Sequence, residues 1–466
     1  FVLYFPTIFN GFVWDDEEQI LNNVAIHSIS NLPSFFAGST FNSGGAANGL
    51  SGLYFRPMMT TALSFIYTFF GPNDFVFHLF QIIIHIANSI LVFLVLFYIF
   101  EKAKLNLALP VAISLIFLVH PINTEATVYL AAYQDVLFFF FGILAFYLIL
   151  KKQNSKQIFY ATLILLASFF AKETGAVFAA IIFTYLFLFE KQKVKPFVFG
   201  VVTGVAVYCL LRFGLAGVFL NKHGLTEISR ISLAERLINI PSIIMYYLGN
   251  FFWPLNIAID QQWVVKKINF QDLILPCVLI FLFIKNIKLN PRIFYFFGIW
   301  FILSLGFHLQ IFPLDMTASD RWFYLSSVSL VALILISLDQ SRFKKYLFPA
   351  VIIILFLLCL RTWLREFDWH DGLTLYSHDI KISQNAFDLE NNYGVELFRI
   401  GDIAQAKIHF EKSTKLSPGW WTNWNNLGAV YEREGNLALA ESYYRRSIDN
   451  GNYYLAYENY GKILYR

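Results

Sequence analysis

Apolar residues in this chain come in long uninterrupted blocks. Ile82–Phe100, Leu109–Val119, Val136–Leu150, Phe159–Phe170 and Val351–Leu360 contain no Lys, Arg, Asp or Glu. Extended by their flanks, such blocks approach the ~20 residues that cross a bilayer, and they predict membrane-spanning helices. The polar segments between them alternate in kind. Five short loops are basic: Lys102/Lys104, Lys151/Lys152/Lys156, Lys191/Lys193/Lys195, Lys285/Lys288/Arg292 and Arg342/Lys344/Lys345. The stretches 14–55 and 120–135 hold neither Lys nor Arg. Basic short loops mark the cytoplasmic side. The alternation predicts spans near 1–13, 75–100, 108–120, 136–150, 158–171, 175–189, 196–212, 270–284, 292–310, 322–338 and 347–361.

Two apolar segments stand outside that count. Residues 233–256 read as a re-entrant or interfacial helix ended by Pro254, and Met58–Phe70 is too short to cross and is expected along the same outer surface. With about eleven crossings, the acidic cluster Asp15–Glu18 and everything after Leu360 share the non-cytoplasmic face.

The tail changes period. Tyr393-Gly394, Leu427-Gly428 and Tyr460-Gly461 recur at 34 or 33 residues, together with Gly401/Gly435, Ala406/Ala440 and Phe410/Tyr444. This is the tetratricopeptide pattern of paired helices, with small residues where helices approach closely. The expected organisation is all-α: a polytopic transmembrane helix bundle over 1–365, with outer loops 14–74 and 213–269, then a tetratricopeptide α-solenoid over 385–466. The third repeat stops after its first helix and the first span is short, so the sequence is expected to be truncated at both ends.

Composition sharpens this picture. The chain is 57% hydrophobic and 14% charged, where soluble domains carry about 25% charged residues. No basic face with base-reading groups appears, so nucleic acid is not an expected partner. Cys209, Cys277 and Cys359 lack metal-ligand or disulfide spacing and read as packing residues. The Gly-rich stretch 44–52, GGAANGLSG, lacks phosphate-loop spacing and reads as a flexible loop.

Ionisable groups at the outer ends of spans carry the chemistry, because such groups are costly in lipid. They are Arg56, His78, His120, Glu125, Asp135, Lys172, Glu173, Asp320 and Arg321, facing the same side as Asp15 and Asp16. Each has a plain alternative: Lys172–Glu173 as a local ion pair, Asp320–Arg321 as a loop anchor, His85 as a satisfied interior histidine, the four acids as a solvated boundary. Convergence favours a site for a lipid-borne, phosphate-linked donor. Such a site needs a carboxylate to accept the acceptor's proton and cations to hold the phosphate. Trp420 and Trp421 are candidate acceptor contacts, whereas Trp424 occupies a packing position of its repeat. Acids beside a phosphate could hold Mg2+ or Mn2+, but no ligand set is assignable and no cofactor is required.

The ordered set GFVWDD, FRPMMTT, FHLFQIIIHIANSIL, HPINTEATVYLAAYQD, AKETG, PLNIAID and SDRWFYLSS, followed by the repeats, resembles the TMTC-type protein O-mannosyltransferases. These are polytopic glycosyltransferases of the GT-C class that use polyprenyl-phosphate sugars. The resemblance implies that Asp15 or Asp16 is the catalytic carboxylate. It sets Arg56, His120, Glu125, Lys172, Glu173 and Arg321 at matching donor-binding positions, and Asp135 and Asp320 beside them. Two departures stand out: Asn123 replaces the second histidine of HPxHTEA, and Tyr133 replaces the arginine before Asp135. The implied donor is an undecaprenyl- or dolichyl-phosphate sugar and the implied acceptor a protein hydroxyl presented by the repeats. The implied membrane is the plasma membrane in a prokaryote or the endoplasmic reticulum in a eukaryote. The rival readings are a non-enzymatic membrane scaffold built on the repeats and, with less support, a lipid or glycan transporter.

Overall fold

The computed structural model describes residues 1–40, 54–151, 154–219, 224–288, 290–451 and 453–465. The glycine-rich stretch 44–52 and Lys152 lie outside them. Among the described residues the only β-structure is one isolated bridge, Gln261 to Ala318. Everything else regular is helical.

Five helical segments are long and apolar enough to cross a membrane: Asp74–Lys102, Leu130–Lys151, Lys191–Leu215, Asp320–Asp339 and Lys344–Asp368. Leu109–Val119 and Pro121–Val128 form a sixth candidate, bent by 54°. The bend follows from sequence. Pro121 cannot donate its missing N–H and pushes His120 out of the helical region, to ψ 126°. Ser155–Ala171, Glu173–Phe189 and Pro291–Gly306 are shorter apolar helices.

The segment expected as a crossing at 1–13 is not one. It forms a single 3-10 turn, Pro6–Phe9, packed on the Asp74–Lys102 and Lys344–Asp368 helices. Pro6 starts the turn, and Asn10 and Gly11 leave it in extended backbone, so too few residues remain to nucleate an α-helix. The two surface segments form helices. Pro57–Phe70 has 14 residues, about 21 Å of helix against a ~30 Å hydrocarbon layer. Leu233–Phe252 opens on a capping box between Ser232 and Glu235 and continues through Pro241. Cys277, expected to pack, is exposed on the helix Ile274–Asn286.

One large apolar core joins the spans, with Phe100, Phe117, Phe139, Phe178, Phe297 and Trp300 fully buried in it. After Lys344–Asp368 the chain makes a short helix, Gly372–Asp379, and then the pairs Phe387–Arg399 with Ile403–Leu416 and Trp421–Arg433 with Leu437–Asn450, followed by Tyr454–Tyr465. The recurrent glycines have two separate jobs. Gly401 and Gly435 end first helices in left-handed backbone, φ 88° and 81°. Gly394 and Gly428 let paired helices close: a Cβ there would sit 2.7 Å from the Phe410 and Tyr444 rings respectively.

Candidate functional site between the bundle and the repeats

The four acids of the first loop have four different surroundings. Trp14 adopts left-handed backbone, φ 55°, a conformation uncommon outside glycine. Its N–H donates to the Tyr376 hydroxyl at 2.8 Å. The corner separates the two aspartates that follow. Asp16 is fully buried, and its carboxyl oxygens accept from the backbone N–H of Val13 at 3.0 Å and of Ala131 at 2.6 Å. It clamps the loop to the segment before Leu130–Lys151. Burial raises its pKa, opposed by those two donors. Asp15 faces the other way, into a cavity. Its side chain is open to that cavity, yet protein surrounds it on every side. The resulting desolvation lifts its carboxyl to about 6, against the lowering pull of the Tyr129 hydroxyl and then of Arg321. Glu17 pairs with both terminal nitrogens of Arg399, at 2.9 and 2.7 Å. Glu18 accepts from Asn22 at 3.4 Å.

The cavity measures about 1440 Å³. Its walls come from the first loop, from Arg56, Tyr129, Lys172, Glu173, Arg212 and Arg321, and from the segments 229–236 and 307–315. The repeats close the opposite side with Asn392, Asn426, Trp420, Trp421 and Tyr453. Two buried ion-pair networks hold the cations. In one, Lys172 bonds Asp135 at 2.5 Å, while Arg321 bonds Glu125 and lies 3.8 Å from Asp135. In the other, Arg56 and Arg212 each bond Glu173 at 3.1 Å. The local pair expected between Lys172 and Glu173 is therefore absent. The 3-10 turn at Glu173–Gly175 sends neighbouring side chains to different partners.

Not every expected residue reaches the cavity wall. Glu125 and Asp135 stand behind the cations they neutralise. Asp320 accepts from Tyr246 at 2.8 Å and Asn250 at 3.2 Å rather than anchoring with Arg321. His120 stacks on Phe251 with ring centroids 4.6 Å apart, and its two nitrogens contact the Phe251 carbonyl and the Ile122 N–H. It holds the bent span rather than lining the cavity. His78 is buried in the Asp74–Lys102 helix. His85 bonds Tyr324 at 2.6 Å and the Leu118 carbonyl at 3.0 Å, an interior histidine as expected. At the two departures, Asn123 donates to the Phe117 carbonyl at 2.8 Å and Tyr133 is buried in the core.

Trp420 lies edge-on to Phe387 at 5.0 Å while facing the cavity. Trp421 lies over Gly451, where a Cβ would come within 2.4 Å of its ring. Trp424 is buried, stacked on Tyr443 and covered by Arg446 at 3.7 Å, in a packing role. Among the described residues no group of three or more His, Cys, Asp or Glu side chains is placed to hold a metal ion. Sequence reasoning missed Arg212, Tyr129 and Tyr376. Only Arg212 left a signal, as the one cation closing the apolar run 196–212.

Comparison with known proteins agrees with this architecture. A tetratricopeptide repeat family model matches residues 422–450. The chain is 24% identical over 438 residues to a protein O-mannosyl-transferase of Caenorhabditis elegans, covering 90% of this chain and 61% of that protein. It is 22% identical to the human protein O-mannosyl-transferase TMTC3, covering 95% of this chain and 53% of that protein. Against human TMTC1 the identity is 34% over 136 residues, 29% of this chain and 15% of that protein. The chain thus spans roughly half to three fifths of the length of the curated relatives it matches end to end. No solved structure matches it. Shared order along nearly the whole sequence, with repeats at the same end, makes this chain a tetratricopeptide-bearing homologue of the TMTC-type protein O-mannosyl-transferases.

Proposed function

We propose that the protein is an integral-membrane glycosyltransferase that moves a sugar from a polyprenyl-phosphate donor to a Ser or Thr hydroxyl of a protein. Asp15 is the general base in this reading. The acceptor oxygen attacks the anomeric carbon, its proton passes to Asp15, and the bond from that carbon to the phosphate oxygen breaks. The phosphate leaves with the electron pair as polyprenyl phosphate. A single displacement inverts the anomeric centre. Mannose is the sugar suggested by the relatives' names. The reaction belongs on the non-cytoplasmic face, where the repeats hold the acceptor chain and Asn392, Asn426 and Trp421 contact it.

The observation that carries the reading is the shared cavity. One space joins a carboxylate whose pKa lies near neutrality, four buried cations and the polar edge of the repeats. Base catalysis works best when the pKa is close to the operating pH. A membrane scaffold has no use for buried cations facing a cavity, since unneutralised charge there only costs stability.

The test uses the full chain in lipid nanodiscs with polyprenyl-phosphate mannose and an unstructured Ser/Thr peptide. Asp15→Asn should lower transfer at least about a hundredfold while leaving the melting temperature close to wild type. Transfer that survives Asp15→Asn undiminished would remove the mechanism.

A further inference from the structure

The four cations lining the cavity are not equally engaged. Lys172 and Arg321 are matched one for one by Asp135 and Glu125, both carboxylates being buried. An incoming anion there would have to displace a buried carboxylate, which is expensive. Arg56 and Arg212 differ. They share one carboxylate, Glu173, whose side chain is 34% exposed, so the trio carries a net positive charge.

The two guanidiniums are also held with donors to spare. Nε of Arg56 takes Oε2 of Glu173, and the guanidinium lies 4.2 Å over the Tyr54 ring. Arg212 is fixed by its Nε on the Val218 carbonyl at 3.2 Å, and by its Nη1 on the Tyr208 hydroxyl at 2.7 Å and on Glu173. Neither terminal nitrogen of Arg56, nor Nη2 of Arg212, bonds a described residue. Both side chains are at least nine-tenths buried and both line the cavity. Two anchored forks with unspent N–H groups suit a tetrahedral oxyanion, because guanidinium geometry matches phosphate in bidentate fashion.

A second feature points to the class of anion. Arg212 lies near the outer end of Lys191–Leu215, the candidate span with the smallest buried share, 17% of its apolar window against 72% for Leu130–Lys151. Most of that helix faces what surrounds the protein. Behind the arginines lies a separate apolar cluster of Phe55, Phe170 and Val218, joined by Tyr208 and Leu211.

We infer that Arg56 and Arg212 together seat the phosphate of a polyprenyl phosphate, whose hydrocarbon chain runs along the outward side of the Lys191–Leu215 span. Glu173 keeps the two forks in register and is the group the phosphate competes with. The assignment deepens the glycosyl-transfer reading and rests on it only for the sugar. Phosphate binding can be read with no sugar and no acceptor present.

The experiment compares a short-chain polyprenyl phosphate with the matching polyprenol, binding to the full chain in nanodiscs. Wild type should prefer the phosphate, and Arg212→Gln or Arg56→Gln should each cut that preference roughly tenfold, the scale of a lost charge-assisted pair. Glu173→Gln should act in the opposite direction and tighten phosphate binding several-fold, an effect that misfolding would not produce. Inorganic phosphate should compete weakly, because it lacks the chain. Equal binding of alcohol and phosphate by wild type, unchanged preference in Arg212→Gln, or weaker binding in Glu173→Gln would each overturn the seat. Inorganic phosphate that competes as well as the lipid would overturn the placement of the chain. Absence of sugar transfer alongside intact phosphate preference would count against the enzyme reading and leave the seat standing.

Discussion

Asp15 and Asp16 are adjacent, identical in type and opposite in surroundings. The sequence makes the pair conspicuous, because two acids directly after an apolar run need a reason. It cannot divide them. The division depends on the left-handed backbone of Trp14 and on an N–H at Ala131, 115 residues further on. The difference has a consequence in pH. A base must be deprotonated to work, and desolvation has raised the Asp15 carboxyl to about 6. Transfer should therefore be full above that value and fall as pH drops through it, where a carboxylate of ordinary pKa would hold activity to about 4. A pH–rate profile of kcat/KM checks this, and a flat profile from 7 down to about 4.5 would argue against Asp15 as the base. The cations show the same limit. Their concentration at the outer ends of spans is legible, but Lys172 choosing Asp135 over its neighbour Glu173 is set by helix positions that no local pattern encodes.

Elements were easier to read than partners. Uncharged blocks gave most helices, since lipid leaves few alternatives to a helix for an apolar backbone. The failure at 1–13 came from counting apolar residues without weighing Pro6, Asn10 and Gly11. Leu233–Phe252 came out as a helix off the main set of spans because charge alternation, not apolarity, excluded it. In the repeats, residue identity and contact agree closely. Gly428 leaves no room for a side chain against Tyr444, so Gly428→Val should destabilise the repeat array by about 1–3 kcal/mol, the usual cost of overpacking. Thermal unfolding of the full chain would report it as an earlier loss of the C-terminal helices. A Val variant as stable as wild type would mean that the helix pair can separate without cost.

Across the whole molecule, the C-terminal helices do not hang free. Arg399 grips Glu17, Arg365 and the Ile259 N–H share Asp379, and Ser417 bonds the Leu225 carbonyl at 3.0 Å. The cavity exists only because both parts supply walls, a property that no pass along the chain could detect. A hydrogen bond removed at this junction should be felt in turnover before it is felt in substrate affinity. Tyr376→Phe deletes the acceptor for the Trp14 N–H, a change worth about 1 kcal/mol. It should lower kcat roughly fivefold and leave KM for the peptide nearly unchanged. A rise in KM with kcat intact would indicate that Tyr376 serves acceptor binding instead.

The twist at Trp14 carries one more implication. A bulky aromatic in left-handed backbone sits uphill by about 1–3 kcal/mol, and what retains it here is a hydroxyl contributed from beyond the last span. The loop thus takes its working shape on credit from the far end of the polypeptide. Synthesis reaches that end only after every crossing has been laid down, so the nascent bundle would pass through assembly with its carboxylate aimed elsewhere, inert until the closing helices arrive.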